Sequence, residues 1–90
     1  MKTFKQFLIE SRNGINEDYY ESIDFELYNP EFGDWEDSYV MIQYDEKKKG
    51  IIWNDESNVS SKGFDDPKKA LDDYKKFLSK QGFKYKGLKL

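Results

Sequence analysis

A chain of ninety residues is long enough for one small domain, and none of its segments approaches the roughly 20 consecutive apolar residues that span a bilayer. The chain contains no cysteine and no histidine, which excludes disulfides, thiolate nucleophiles, and imidazole bases or ligands. These absences favour a binding protein over an enzyme, and the sequence predicts no metal, no cofactor and no membrane partner. Seven Phe, seven Tyr and two Trp predict a core built largely from aromatic rings.

Charge is distributed unevenly along the chain. Residues 1–46 hold twelve acidic and three basic side chains, a formal charge of −9, whereas residues 47–90 hold six acidic and twelve basic ones, a formal charge of +6. Two interpretations follow: the two halves fold together and their charges intermix on one surface, or the acidic half forms a face that recognises a partner.

The first ten residues have the pattern of a short amphipathic helix, because Phe4, Phe7 and Leu8 fall at i, i+3 and i+4. Thr3 and Gln6 have the spacing of a capping box. So short a helix is unstable alone in water and needs a surface to bind, either another molecule or the open side of the predicted sheet. Residues 11–21 are polar and lack a helix or strand period, so they predict a connector to a single α+β domain over residues 22–90.

Apolar and polar residues alternate from residue 22 onward, which predicts a first strand with Ile23, Phe25 and Leu27 on its buried side. Residues 29–37 combine Pro and Gly with two large aromatic residues and predict a loop. Residues 39–44 and 50–53, rich in β-branched and aromatic residues, predict a hairpin closed by a charged turn over residues 45–49.

The clearest predicted helix runs from Asp66 to Gln81. Asp66 suits the N-cap, Pro67 the first helical position and Gly82 the residue after the C-terminus. Its apolar stripe consists of Ala70, Leu71, Tyr74, Phe77 and Leu78. A closing strand is predicted over residues 83–88. The expected fold is therefore a small two-layer α+β sandwich: an antiparallel sheet of three to four strands, one main helix in the C-terminal half and a short N-terminal helix.

Acidic and aromatic residues interleave in the first half of the predicted domain, as on a surface that presents charge to a basic partner around aromatic anchors. An ordinary solvated face is the alternative. The candidate partner-binding residues are Asp24, Glu26, Glu31, Phe32, Asp34, Trp35, Glu36 and Asp37.

The C-terminal lysines alternate with aromatic residues, a mixture that also binds single-stranded nucleic acid. Lys84 and Lys86 flank Tyr85, for example. The same alternation protects an edge strand against aggregation, and a chain of net charge −3 is a poor polyanion binder. Direct nucleic-acid binding therefore stays an alternative.

The segment MKTFKQFLIE over residues 1–10 resembles the capsid-targeting peptides of internal head proteins from T-even-type tailed phages. Those peptides share a Met-Lys-Thr opening, an aromatic-rich centre, and an ending in which a hydrophobic residue, any residue and Glu precede the cleavage site. Here Leu8 and Glu10 occupy the matching positions, and the resemblance implies cutting by a prohead protease before Ser11. The similarity covers about eleven of the ninety residues.

The resemblance implies a protein that docks in the prohead core through residues 1–10, resides in the virion interior, and is injected with the DNA into the host cytoplasm. Some members of that family inhibit host nucleases, so the expected partner is a host defence protein, a nuclease or similar. Two alternatives stay open: a structural or scaffold-associated head protein without a host target, and a small nucleic-acid-binding protein.

Overall fold

Two long antiparallel strands form the backbone of the fold in the computed structural model, which describes residues 18–90. Strand β1 (Tyr20–Asn29) pairs along its whole length with β2 (Asp34–Asp45), and β2 pairs in turn with β3 (Gly50–Asn54). Helix α1 (Pro67–Lys80) follows, and the short strand β4 (Lys84–Lys86) returns to pair with the other side of β1. The sheet order is β3-β2-β1-β4, and every pairing is antiparallel.

The predicted α+β class is confirmed: the described residues form one four-stranded antiparallel sheet and one helix. The helix begins and ends where the sequence predicts, since the side chain of Asp66 accepts a hydrogen bond from the Lys68 N–H and Gly82 adopts a positive φ of 86°. The predicted N-terminal helix over residues 1–10 lies outside the described residues, as do Leu8, Glu10 and Ser11 of the expected processing site.

The prediction of a loop over residues 29–37 is wrong. Only a tight turn separates the strands, in which Asn29 O accepts from the N–H groups of Phe32 and Gly33, and Gly33 takes the φ of +72° that favours glycine. Residues 34–37 belong to β2. They lack the alternation of a half-buried strand because they extend beyond the helix and are exposed on both faces.

Two further boundaries differ from expectation. β1 begins at Tyr20, so the last two residues of the predicted connector belong to the strand. β4 ends at Lys86, not near residue 88, and Leu88 is instead buried in the core. Val59, in the segment after β3, forms an isolated bridge with Asn54.

The core lies between α1 and one face of the sheet. Trp53 of β3 and Tyr74 of α1 pack with ring centroids 4.7 Å apart, and Phe25 of β1 meets Tyr74 edge-on at 6.0 Å. Phe77 lies 5.0 Å from Trp53 and completes the group of rings. The buried aliphatic side chains around them are Ile23, Val40, Ile42, Ile51, Leu71, Leu78 and Leu88. The expected aromatic core is therefore present.

The outer edge of β3 is covered by the segment that follows it. Ile51 and Phe64 exchange two backbone hydrogen bonds of 2.7 Å, which brings the chain at Gly63 against Gly50. A Cβ at Gly63 would stand 2.8 Å from both the Gly50 Cα and the Lys48 carbonyl oxygen. The contact therefore requires glycine on both sides.

We predict that Gly63→Ala lowers the free energy of unfolding by about 1–3 kcal/mol, because the added methyl group meets backbone that has no rotamer to change. Urea denaturation followed by circular dichroism measures the loss. Ser61→Ala, an exposed position in the same segment, serves as the control and should stay within about 0.5 kcal/mol of the parent. Equal stability of the two variants would contradict the close approach.

Candidate partner-binding surface

The β1–β2 hairpin has two chemically distinct faces. Val40 and Ile42 are fully buried against α1, so even-numbered positions of β2 face the helix side and odd-numbered positions face the open side. In β1 the buried residues Ile23 and Phe25 place the odd-numbered positions on the helix side. The register is continuous from Tyr20–Gln43 to Asn29–Asp34, so this assignment holds along the whole hairpin.

The open side carries a group that we call the open-face cluster: Glu26, Tyr28, Trp35, Asp37, Lys84 and Lys86. Tyr28 and Trp35 lie opposite each other across β1 and β2, with ring centroids 5.3 Å apart. Lys86 places its Nζ 4.1 Å from the centroid of the Trp35 ring, and the Lys84 Nζ lies 5.8 Å from that of Tyr28. Two ammonium groups are thus held over two aromatic rings.

The structure brings together four of the eight predicted site residues. Asp24, Glu26, Trp35 and Asp37 share the open side, where Glu26 lies opposite both Asp37 and Lys86. The remaining four lie elsewhere. Glu31 and Phe32 are in the turn at the tip of the hairpin, where Phe32 is 70% exposed. Asp34 and Glu36 occupy even-numbered positions on the helix side, and Glu36 is exposed beyond the end of the core.

Tyr28, Tyr39, Lys84 and Lys86 also lie on this surface, and local sequence patterns did not predict them there. The sequence predicted the two lysines in an edge strand or a nucleic-acid contact. β4 is indeed an edge strand, as the order of the sheet shows. Its lysines reach the acidic surface because β4 pairs with residues 26–28 of β1, a pairing that spans about 58 residues of sequence and leaves no local pattern.

A cleft of about 440 Å³ lies on the opposite side of the hairpin, between the C-terminal half of α1 and the loop over residues 55–58. Its apolar lining comes mainly from Leu27, Phe77 and Phe83, and its charged lining from Asp55 and Glu56. Ser38, which lies two positions before Val40 on the helix side of β2, also contributes. The cleft therefore adjoins the exposed end of the hairpin.

Asp55 organises one wall of this cleft. Its Oδ1 accepts hydrogen bonds from the N–H groups of Ser57 at 2.9 Å and Asn58 at 2.6 Å, and its Oδ2 accepts from the Tyr74 hydroxyl at 2.8 Å. Burial, and next the hydrogen bond to Asp55, raise the pKa of Tyr74 above its ordinary value of 10.0. The neutral phenol is therefore held as a donor to a fixed carboxylate.

Residues 18–90 contain no group of three or more acidic side chains placed to hold a metal ion, and no helix in that range is long and apolar enough to cross a membrane. No protein-family model matches the chain, and no curated protein or solved structure shows significant similarity to it.

We predict that Tyr74→Phe lowers the free energy of unfolding by about 1–2 kcal/mol at neutral pH, because the half-buried Asp55 Oδ2 loses its donor. It should also reduce the alkaline loss of stability. Because its pKa is raised in the folded protein, Tyr74 above pH 10 keeps its proton when folded and loses it when unfolded. Its contribution to the free energy of unfolding is therefore fully present below pH 10. Above pH 10 that free energy falls, by up to about 1.4 kcal/mol per pH unit for one proton.

Urea denaturation between pH 8 and pH 11.5 measures both effects. Tyr19, whose pKa is raised mainly by burial, remains in the variant, so the slope above pH 10 should become shallower without vanishing. Tyr39→Phe, at an exposed tyrosine on the open side of β2, is the control and should leave the neutral-pH stability within about 0.5 kcal/mol. An unchanged alkaline slope in Tyr74→Phe would refute the assignment.

Proposed function

We propose that this protein works by binding a basic partner through the projecting end of its β1–β2 hairpin. The observation that carries the proposal is the charge of this hairpin: residues 20–45 hold eight acidic side chains and no basic one. The acidic residues are Glu21, Asp24, Glu26, Glu31, Asp34, Glu36, Asp37 and Asp45. Five of them, Glu26, Glu31, Asp34, Glu36 and Asp37, lie in or near the projecting end, whereas Glu21 and Asp45 lie at the opposite end of the hairpin. A rigid acidic projection complements a basic groove, such as one that holds nucleic acid, and accelerates association with it.

Aromatic side chains at the same end of the hairpin supply the anchors that charge alone does not. Trp35 is 39% exposed on the open side and Phe32 is 70% exposed at the tip. Such rings carry much of the binding energy in protein interfaces when they become fully desolvated. Trp35 is already positioned by Tyr28 and Lys86, so it loses little side-chain entropy on binding.

The partner that we propose is a host defence protein, a nuclease or similar, which the hairpin inhibits by occupying its basic groove. Support for the setting comes from residues 1–10, whose resemblance to capsid-targeting peptides favours packaging in a phage head, cleavage and delivery with the DNA. Binding in place of catalysis agrees with a chain that has no imidazole and no thiol group. A structural head protein without a host target is the alternative for the same setting.

One observation favours a second candidate function, the binding of single-stranded nucleic acid. Lys84 and Lys86 stand over Tyr28 and Trp35 on one face, and bases stack on such rings while lysines contact phosphate. The carboxylates of Glu26 and Asp37 within the same cluster oppose a polyanion. A salt-dependent shift of labelled single strands at physiological ionic strength would favour this candidate over a protein partner.

We predict that Trp35→Ala weakens binding to the captured host protein by at least about 30-fold, because a central interface aromatic contributes about 2 kcal/mol or more. The tagged full chain captures partners from host lysate, mass spectrometry identifies them, and calorimetry with the purified partner gives the affinity. Inhibition of the partner's activity should weaken in parallel.

The matched control is Tyr20→Ala, which removes a more exposed aromatic ring, at 58%, from the other end of β1. It should change the affinity by less than about threefold. The proposal fails if Trp35→Ala and Tyr20→Ala bind equally, or if no host protein is retained in a manner that depends on Trp35.

We predict that the protein recovered from mature phage particles lacks residues 1–10, because the prohead protease cuts between Glu10 and Ser11. Intact-mass spectrometry of particle proteins measures this directly. Glu10→Gln is expected to leave the chain uncut, whereas Glu17→Gln, outside the matched segment, should be processed normally. An intact wild-type chain in mature particles would rule out the cleavage.

A further inference from the structure

We infer that the cleft beside the hairpin receives an arginine side chain of the protein partner. The inference rests on the proposed function, since the partner is the same basic protein that the hairpin binds. It concerns a different surface, on the helix side of the sheet, and different residues. The volume of about 440 Å³ is within the range of pockets that enclose small groups.

The charge of the cleft selects a cation. Among the residues that line it, only Asp55 and Glu56 are charged, and both are negative. Two lysines of α1, Lys76 and Lys80, line a separate pocket together with Trp53 and Asp73, and Lys75 is not among the residues that line the cleft. A positive side chain that enters the cleft can therefore pair with these carboxylates, because no lysine lines the cleft and competes for them.

The shape and lining of the cleft favour guanidinium over ammonium. Phe77 and Phe83 supply ring surfaces, and Leu27 supplies an aliphatic wall. A guanidinium group is planar, weakly hydrated and stacks on such rings, whereas an ammonium group is compact and strongly hydrated. The three-carbon stem of arginine would in turn cover apolar surface at the floor of the cleft.

The acceptor is already oriented before any partner arrives. Asp55 accepts three hydrogen bonds from Ser57, Asn58 and Tyr74, which fix its carboxylate and leave acceptor capacity for one more donor. Glu56 is exposed at the rim and can supply a second carboxylate. A fixed acceptor reduces the entropy lost when a side chain binds.

The position of the cleft connects it to the hairpin. Two residues that line the cleft belong to the hairpin, Leu27 in β1 and Ser38 in β2. Glu36 lies on the same side of β2 as Ser38, two positions closer to the turn. A basic groove that encloses the end of the hairpin passes Glu36 and then reaches the cleft. One arginine on the wall of that groove is enough to occupy it.

The test is an NMR titration of the ¹⁵N-labelled full chain with N-acetyl-arginine methylamide, alongside the same compound made from citrulline or from lysine. Citrulline keeps the shape of arginine and removes its charge. We expect saturable shifts of the Asn58, Phe77 and Gln81 amide signals with arginine, at least threefold weaker binding of lysine, and no saturation with citrulline.

Two variants locate the site. Glu56→Gln should weaken arginine binding by about two- to fivefold, as the loss of one solvent-exposed carboxylate implies. Glu46→Gln, at an exposed glutamate of the β2–β3 turn outside the cleft, should leave it unchanged. Saturation by citrulline, equal binding of lysine, equal effects of the two variants, or shifts centred on the open-face cluster would each overturn the inference.

The outcome is separable from that of the hairpin proposal. Trp35→Ala lies outside the cleft and should bind the arginine probe normally. If arginine fails to bind while capture of the partner still depends on Trp35, only the cleft assignment falls. If arginine binds while Trp35→Ala leaves partner capture intact, the hairpin assignment falls.

Discussion

The packing of Tyr74 between the sheet and the helix is the contact on which the described structure depends. Its ring meets Phe25, Trp53 and Phe77, while its hydroxyl, on a side chain only 1% exposed, requires a hydrogen-bond acceptor. Asp55 meets that requirement from the loop after β3. The buried indole N–H of Trp53 also requires an acceptor, and it donates a hydrogen bond of 2.9 Å to Asp73. The hydrogen bond from Tyr74 to Asp55 thereby fixes the loop that forms one wall of the cleft, and the one from Trp53 to Asp73 ties β3 to α1.

The end of the hairpin, in contrast to the core around Tyr74, is exposed, because it extends past α1. Seven like charges on the two paired strands and an eighth in the turn repel one another, and Glu26 and Asp37 lie directly opposite each other. β4 relieves part of this repulsion because it brings Lys86 opposite Glu26 and over Trp35. Lys84 and Lys86 therefore hold the rings of Tyr28 and Trp35 in place within an otherwise acidic region. Their positive charges also make this surface less negative.

Local sequence patterns predicted the elements that touch the core and failed for those that leave it. The helix was placed correctly because Asp66, Pro67 and Gly82 mark its ends and its apolar stripe is complete. Residues 34–37 were assigned to a loop because a strand exposed on both faces has no alternation to detect. The open-face cluster was found only in part, since Lys84 and Lys86 join it through a pairing between distant segments. The cleft was not predicted, because its lining comes from four separate parts of the chain.

The proposed setting places a specific demand on this charge distribution. A protein packaged with DNA at high concentration must keep its binding surface free of that DNA, and eight carboxylates without a base on the hairpin oppose contact with phosphate. Lys84 and Lys86 do not reverse this, because each is directed onto an aromatic ring of the same surface. The same carboxylates that repel DNA phosphate are attracted by a basic groove on a protein. The charge that disfavours binding to DNA inside the head would thus favour binding to a DNA-binding protein in the host.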